Sequence, residues 1–276
     1  MAESYFQLLD TDAERDRFAS TDLVRGTWSA DIQHGAPVSA LLVRALENCQ
    51  PRAEVRLARV AIDLMGGVPS TGDLYVRSAV HRPGKQIELV GAEMSTTGPD
   101  GGPRVVARAT GWRMSQTDTA PIASDGDNPL PPLADGKDRD MARNWDTNYL
   151  HSIDWRWLTD PLTPGPGESW LNPTVDLVAG EAMTPLQRLF AVADNANGIG
   201  SKISTRDYTF LNTDLVVHIH RVPDGQWIGI RADTSYGPDG IGTTVGALFD
   251  QHGSVAHIQQ SVLVRPRPPR PPKPSS

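Results

Sequence analysis

The segment HGAPVSALLVRALENCQP, residues 34–51, decides how the rest of the chain is read. Val38, Leu41, Leu42, Ala45, Leu46 and Cys49 fall at i, i+3, i+4, i+7, i+8 and i+11, the spacing of one face of an α-helix. Gly35 and Pro37 mark its start and Pro51 its end. Strand-like sequence follows: an apolar run from Val60 to Met65, an alternating stretch from Leu74 to Val80, then Ile87 to Met94 and Val105 to Trp112. Turn residues separate them at Pro69-Ser70-Thr71-Gly72, Pro83-Gly84 and Gly98-Pro99-Asp100-Gly101-Gly102. The order predicts one helix and then a four-strand antiparallel meander.

The second half repeats that order. Thr184 reads as an N-cap, Pro185 as the first helical residue and Gln187 as the closing member of a capping box. Leu186, Leu189, Phe190 and Ala193 carry the helix, and Gly198 and Gly200 stop it. Strands are expected from Leu215 to His220, Trp227 to Asp233, Thr243 to Phe249 and Ser254 to Val264. Overlaying the halves puts Pro37 on Pro185, Pro69 on Pro223, Gly72 on Gly225 and Arg77 on Arg231. It also puts Gly91-Ala92 on Gly246-Ala247 and Val106-Ala107 on Val255-Ala256. Matches in one order, with one rhythm, favour an internal duplication. Extra strands before each helix would complete the units, with Thr27 to Ile32, Leu150 to Leu158 and Trp170 to Leu177 as candidates.

Between the halves, Pro121, Asp125, Gly126, Asp127, Pro129, Pro131, Pro132, Asp135 and Gly136 cannot build a core element, which predicts a linker over the surface. The expected organisation is a first unit at 1–115, a linker at 116–144, a second unit at 145–266 and a proline-rich tail at 267–276. The tail reads as a disordered end, with a polyproline ligand or a contact for an anionic surface as alternatives.

Composition narrows the functional classes. A formal net charge of −7 argues against a nucleic-acid partner, which needs a basic face. Cys49 is the sole cysteine, so an internal disulfide and a cysteine-based metal site are excluded. Met1-Ala2-Glu3-Ser4 lacks the basic start and apolar core of a secretion signal, and no apolar run is long enough to span a bilayer. The expectation is a soluble cytoplasmic protein without membrane insertion.

One residue stands out chemically. Asp194 lies four residues after Phe190 and eight after Leu186, so it shares their apolar stripe. A carboxylate in such a place is costly unless hydrogen-bonded or paired, and burial in general makes a carboxylate a better base. The competing reading is that the helix is ending there and Asp194 faces water. His218 and His220 share one face of a strand, but no third ligand at metal spacing accompanies them. Gly237-Pro238-Asp239-Gly240-Ile241-Gly242 lies between strands and reads as a turn, not a dinucleotide motif. His34 could cap the helix or line the pocket, with capping or exposure the preferred reading, and Trp155, Trp157 and Trp170 read as core or interface.

A helix followed by an antiparallel meander, twice in one chain, resembles the double hotdog fold. The chain is further similar to the acyl-CoA thioesterase II-like family. The resemblance is carried by Gly26-Thr27-Trp28, His34-Gly35-Ala36-Pro37, Ala107-Arg108-Ala109-Thr110-Gly111-Trp112, Ala193-Asp194-Asn195-Ala196-Asn197-Gly198, the run from Asn212 to Arg221, and Gln259-Gln260-Ser261. It spans roughly residues 5–266 and implies an α+β fold of two antiparallel sheets, each wrapped around a central helix. It implies Asp194 and Gln260 as catalytic residues. The family's hydroxyl residue maps to Asn212, with Thr213 beside it, so both stand as candidates.

On the overlay, Asp194 falls on Leu46 and Gln260 on Gly111, which suggests one polar set per chain with half one as the other pocket wall. The implied reaction is hydrolysis of fatty or related acyl-CoAs by an Asp-activated water, placing the chain in lipid metabolism. No metal or organic cofactor is implied, and pairing of pseudo-dimers implies a homodimer. The rivals are a non-catalytic acyl-thioester binding protein and a hotdog enoyl-CoA hydratase. The hydratase arrangement pairs an Asp with a His five residues away, where this chain has Ile199.

Overall fold

The apolar stripe of residues 34–51 folds as helix α1 (Gly35–Asn48), capped at its start by His34. In the computed structural model, which describes residues 3–12, 14–139, 147–163 and 165–268, Val38, Leu41, Leu42 and Leu46 are buried. Each such side chain contributes about 1.5–3 kcal/mol of apolar burial. Strands β1 (Ser4–Thr11) and β2 (Asp16–Ser20) precede α1. Strands β3 (Val55–Leu64), β4 (Asp73–Arg82), β5 (Ile87–Thr97) and β6 (Pro103–Ser115) follow it. The second half opens with a short helix α2 (Asn148–His151), then β7 (Ile153–Trp157), β8 (Gly167–Pro173) and β9 (Asp176–Val178). Its central helix α3 (Pro185–Ala193) has the full capping box of Thr184 and Gln187. A single turn α4 (Ala196–Ile199) comes next. Strands β10 (Tyr208–Asn212), β11 (Asp214–Ile219), β12 (Ile228–Tyr236), β13 (Ile241–Asp250) and β14 (Gly253–Pro266) complete it.

Three expectations change. The segment Thr27 to Ile32 is not a strand; it bends, joined only by isolated bridges such as Ile32 to Pro69, and β1 and β2 supply the pre-helix strands instead. The meander is three strands long in each half, because β3 lies beside β6 and β11 beside β14. The two expected sheets are joined: Val60 on β3 pairs with Val217 on β11, giving one fourteen-stranded sheet among the described residues. That pairing removes two sheet edges that would otherwise expose unpaired backbone groups. Its far ends, β7–β8 and β9, are separated by only Thr174 and Val175, and β9 pairs in parallel with β1.

Helices α1 and α3 pack against each other and run antiparallel. Gly35 at the start of α1 abuts Asp194 just past the end of α3. At the opposite end, Glu47 accepts hydrogen bonds from Thr184 Oγ1 at 2.9 Å and Gln187 Nε2 at 2.8 Å, at the start of α3. Arg44 adds a second clasp across the halves, donating two hydrogen bonds to Glu181 and one to Asp16.

Trp155 and Trp157 stack in the main core, as expected, while Trp170 belongs to a smaller cluster with Leu130, Ala247 and Phe249. Leu130 comes from the segment read as a linker. The described part of that segment is tied down by Arg231 donating to the carbonyls of Asn128 and Pro129, and by Asp125 accepting from the Ser254 amide and hydroxyl. Residues 140–144 of the linker, 145–146 of the second unit and 269–276 of the tail lie outside the described residues.

Candidate active site

Asp194 sits at the C-cap of α3, one residue beyond the last helical position. The helix does end there, yet Asp194 is only 4% exposed, because β10, β14 and the start of α1 close over it. A negative charge at a helix C-terminus opposes the helix dipole, but the same charge at a helix N-terminus is favoured. The antiparallel pairing of α3 with the fourteen-residue α1 supplies that compensation.

The two carboxylate oxygens have different surroundings. Oδ1 accepts from Asn212 Nδ2 at 2.7 Å and from Gln260 Nε2 at 3.3 Å. Oδ2 faces α1, with His34 Nδ1 at 3.3 Å and Gly35 in contact. Gln260, 1% exposed, directs its amide group at Asp194, while its Oε1 is buried without a hydrogen-bond partner among the described residues.

Sequence reasoning left Asn212 and Thr213 open, and the structure separates them. Asn212 faces Asp194, whereas the Thr213 hydroxyl donates to Asp214 Oδ1 at 3.3 Å. Thr213, at the bend between β10 and β11, also borders the cavity, but no hydrogen bond joins it to Asp194 among the described residues.

His34 combines the two roles weighed for it, a helix cap and a lining residue of the pocket. It caps α1, as one reading held, with Nδ1 accepting from the Ala36 amide at 3.2 Å. The same nitrogen is the one beside Asp194. One ring nitrogen offers a single in-plane position, so Nδ1 either accepts from Ala36 or, when protonated, donates to Asp194. Burial pushes the imidazole below its usual pKa, and the Asp194 carboxylate opposes that shift. The ring stacks on Tyr149 at 4.0 Å. Tyr149 donates its hydroxyl to the Ala191 carbonyl and accepts from Asn195, and burial first of all holds its pKa well above normal.

Asn197 also escaped the sequence reading. Its Nδ2 donates to Asn212 Oδ1 at 3.2 Å. Its position three residues after Asp194, on the same side of a helical backbone, was the available signal.

Asp194, His34, Asn197 and Asn212 border a cavity of about 280 Å³ between the halves, with Gln260 behind Asp194. Trp28, Ile32, Val38, Leu64 and Val68 form the wall from half one, and Leu211, Asn212 and Leu263 face them from half two. At the pseudo-symmetric position, Gly111 backs directly onto Leu46: a Cβ there would lie 3.2 Å from Leu46 Cδ1. An apolar contact thus stands where half two places Asp194 against Gln260. The neighbouring carboxylate, Glu47, accepts from the Thr184 and Gln187 side chains that cap α3, and burial raises its pKa against the pull of those hydrogen bonds. Among the described residues no cluster of three or more His, Cys, Asp or Glu side chains could hold a metal ion, and no helix is long and apolar enough to cross a membrane.

Comparison with known proteins agrees with this architecture. Residues 24–114 match the acyl-CoA thioesterase N-terminal domain and residues 127–264 the acyl-CoA thioesterase C-terminal domain. No curated protein sequence matches the chain. Among solved structures, a hotdog-fold protein of unknown function from Alicyclobacillus acidocaldarius is similar with a TM-score of 0.74 at 12% identity, covering 95% of this chain and 96% of that one. A putative thioesterase II from Thermobifida fusca is similar with a TM-score of 0.71 at 18% identity, with the same coverages of 95% and 96%. The acyl-CoA thioesterase II TesB2 from Mycobacterium marinum gives 0.65 at 14% identity, again covering 95% and 96%. At these identities the structures speak to the fold alone, while the two domain matches together span most of the sequence: the chain belongs to the acyl-CoA thioesterase family.

Proposed function

We propose that the chain hydrolyses acyl-CoA thioesters with a water activated by Asp194. The observation that carries this reading is the asymmetry of that buried carboxylate. Oδ1 is held by two amide donors, while Oδ2 is turned toward the start of α1 beside an apolar cavity. Oδ2 takes a proton from the water as its oxygen bonds to the thioester carbonyl carbon. Gln260 Oε1, buried and unpartnered among the described residues, is the acceptor for the water's second hydrogen. Positioning of this kind replaces a random encounter with a fixed one.

The carbonyl oxygen gains negative charge as the water adds. The first-turn N–H groups of a helix have no intrahelical acceptors; in α1 Pro37 has no N–H and Ala36 donates to His34, so the Gly35 N–H, beside Asp194, is the donor for it. Collapse of the adduct breaks the C–S bond, and the proton held on Asp194 passes to the leaving thiolate. The products are a free acid and a free thiol.

The hydratase reading loses support at Ile199, which is buried against Gly167 and can carry no proton. The test is a panel of acyl-CoAs from acetyl to palmitoyl, together with a 2-enoyl-CoA, followed with a thiol reagent and by product analysis. Thiol released in step with free acid is expected. Saturable binding with no thiol would establish a non-catalytic carrier, and water addition to the enoyl thioester without thiol would establish a hydratase.

A further inference from the structure

We infer that Asn197 is a positioning residue that fixes which end of the Asn212 side chain meets Asp194; the inference rests on the thioesterase reading for its effect on rate. The resemblance to the family leads one to expect a hydroxyl at position 212. A hydroxyl rotates and can donate or accept as its neighbours require, whereas an amide has one donating and one accepting end. Asn212 therefore has a wrong orientation available to it that a hydroxyl residue lacks.

In the observed orientation, Asn212 Nδ2 donates to Asp194 Oδ1 at 2.7 Å and to the Asp214 carbonyl at 3.2 Å. Its Oδ1 accepts from Asn197 Nδ2 at 3.2 Å. Turned over, Asn212 would set its oxygen against a carboxylate and a carbonyl, and its amide group against the Asn197 donor. With Asn197 held in its observed orientation, all three contacts would become repulsive at once. Asn197 is thus the third corner of a polarity lock, supplied from α4 while Asp194 comes from the end of α3 and Asn212 from β10. The titratable side chains facing Asp194 are His34 from the start of α1 and, behind it, Tyr149 from α2.

The chemistry at position 197 then has to be that of a donor, and shape alone is insufficient. Asn197→Asp keeps the shape and replaces the donor by an acceptor, so it favours the wrong orientation of Asn212. The expected result is a fall in kcat of about 30-fold or more with KM within about twofold, since Asn197 borders the cavity and the substitution keeps its shape; a factor of that size is of the order produced when one oriented group is misplaced. In an Asn212→Thr background the same substitution is expected to cost less than about threefold, because a hydroxyl needs no lock. A purely structural role for Asn197 would give the same loss in both backgrounds.

A second measurement is independent of turnover. The Asn212 side-chain NH2 signals, assigned by 15N NMR through their loss in Asn212→Thr, are expected to be exchange-protected in the wild type and unprotected in Asn197→Asp. Unchanged protection, or equal kinetic losses in the two backgrounds, would overturn the inference. If the wild type releases thiol from no acyl-CoA, the functional reading fails, and the NMR result still decides whether Asn197 orients Asn212.

Discussion

Replacing Gly35 by alanine tests how tightly the start of α1 sets the position of Asp194. A methyl group built on Gly35 would lie 2.6 Å from Asp194 Oδ2 and 2.9 Å from Cγ, whereas ordinary contact begins at 3.4 Å. The carboxylate would have to retreat by about 0.8 Å, the shortfall between those two distances. It cannot do so freely, because Asn212 and Gln260 hold the other oxygen. A misplacement near 1 Å at a reacting group costs on the order of 100-fold in rate, equivalent to about 2.7 kcal/mol of transition-state stabilisation. The effect on folding is smaller, since overpacking costs about 1–3 kcal/mol and alanine recovers up to about 1 kcal/mol of helix propensity. Steady-state thiol release is expected to show kcat lowered about 100-fold, with calorimetry placing Tm within about 5 °C of the wild type. A kcat within threefold of the wild type would refute the idea that Oδ2, pressed against Gly35, is the proton acceptor.

Two further outcomes follow from the same geometry. Burial holds His34 below its ordinary pKa of 6.5, so its neutral form belongs to the folded state; that contribution to stability is complete above about pH 6.5 and is lost as pH falls toward the folded value. His34→Asn keeps a good N-cap, and its Tm is expected to fall less steeply than the wild type's between pH 6.5 and 5; parallel slopes in calorimetry would contradict this. The cavity of about 280 Å³ holds roughly nine water-sized groups. Short and medium acyl-CoAs are therefore expected to give a higher kcat/KM than palmitoyl-CoA, with Val38→Ala moving the optimum to longer chains; a wild-type optimum at sixteen carbons would contradict it.

The parts of the fold written in local patterns were legible. The periodicity of α1 and the Thr184-Pro185-Leu186-Gln187 start of α3 were read correctly, as were the main strands after each helix. What escaped was decided by distant partners. Alternation marks β3 as a strand but says nothing about whether β4, β6 or β11 will lie beside it. The N-terminal strand β1 gave no clear alternation, because Tyr5 and Phe6 are both buried while Leu8 and Leu9 are partly exposed. Asp194 was found through its place on an apolar stripe, although the helix stops one residue earlier and the burial comes from α1 and the sheet. The spacing of Asn197 from Asp194 hints at a shared side, but its hydrogen bond to Asn212 and the contact of His34 with Asp194 depend on side-chain orientation across elements.

The most direct test of the account is kcat for Asp194→Asn beside the wild type, on the best acyl-CoA of the panel and with matched near-ultraviolet circular dichroism. The substitution keeps the shape and removes the base. General-base catalysis contributes roughly 10²–10⁴ in rate, so a loss of at least 100-fold is expected. A variant that retains a fifth or more of the wild-type rate would show that Asp194 does not activate the water.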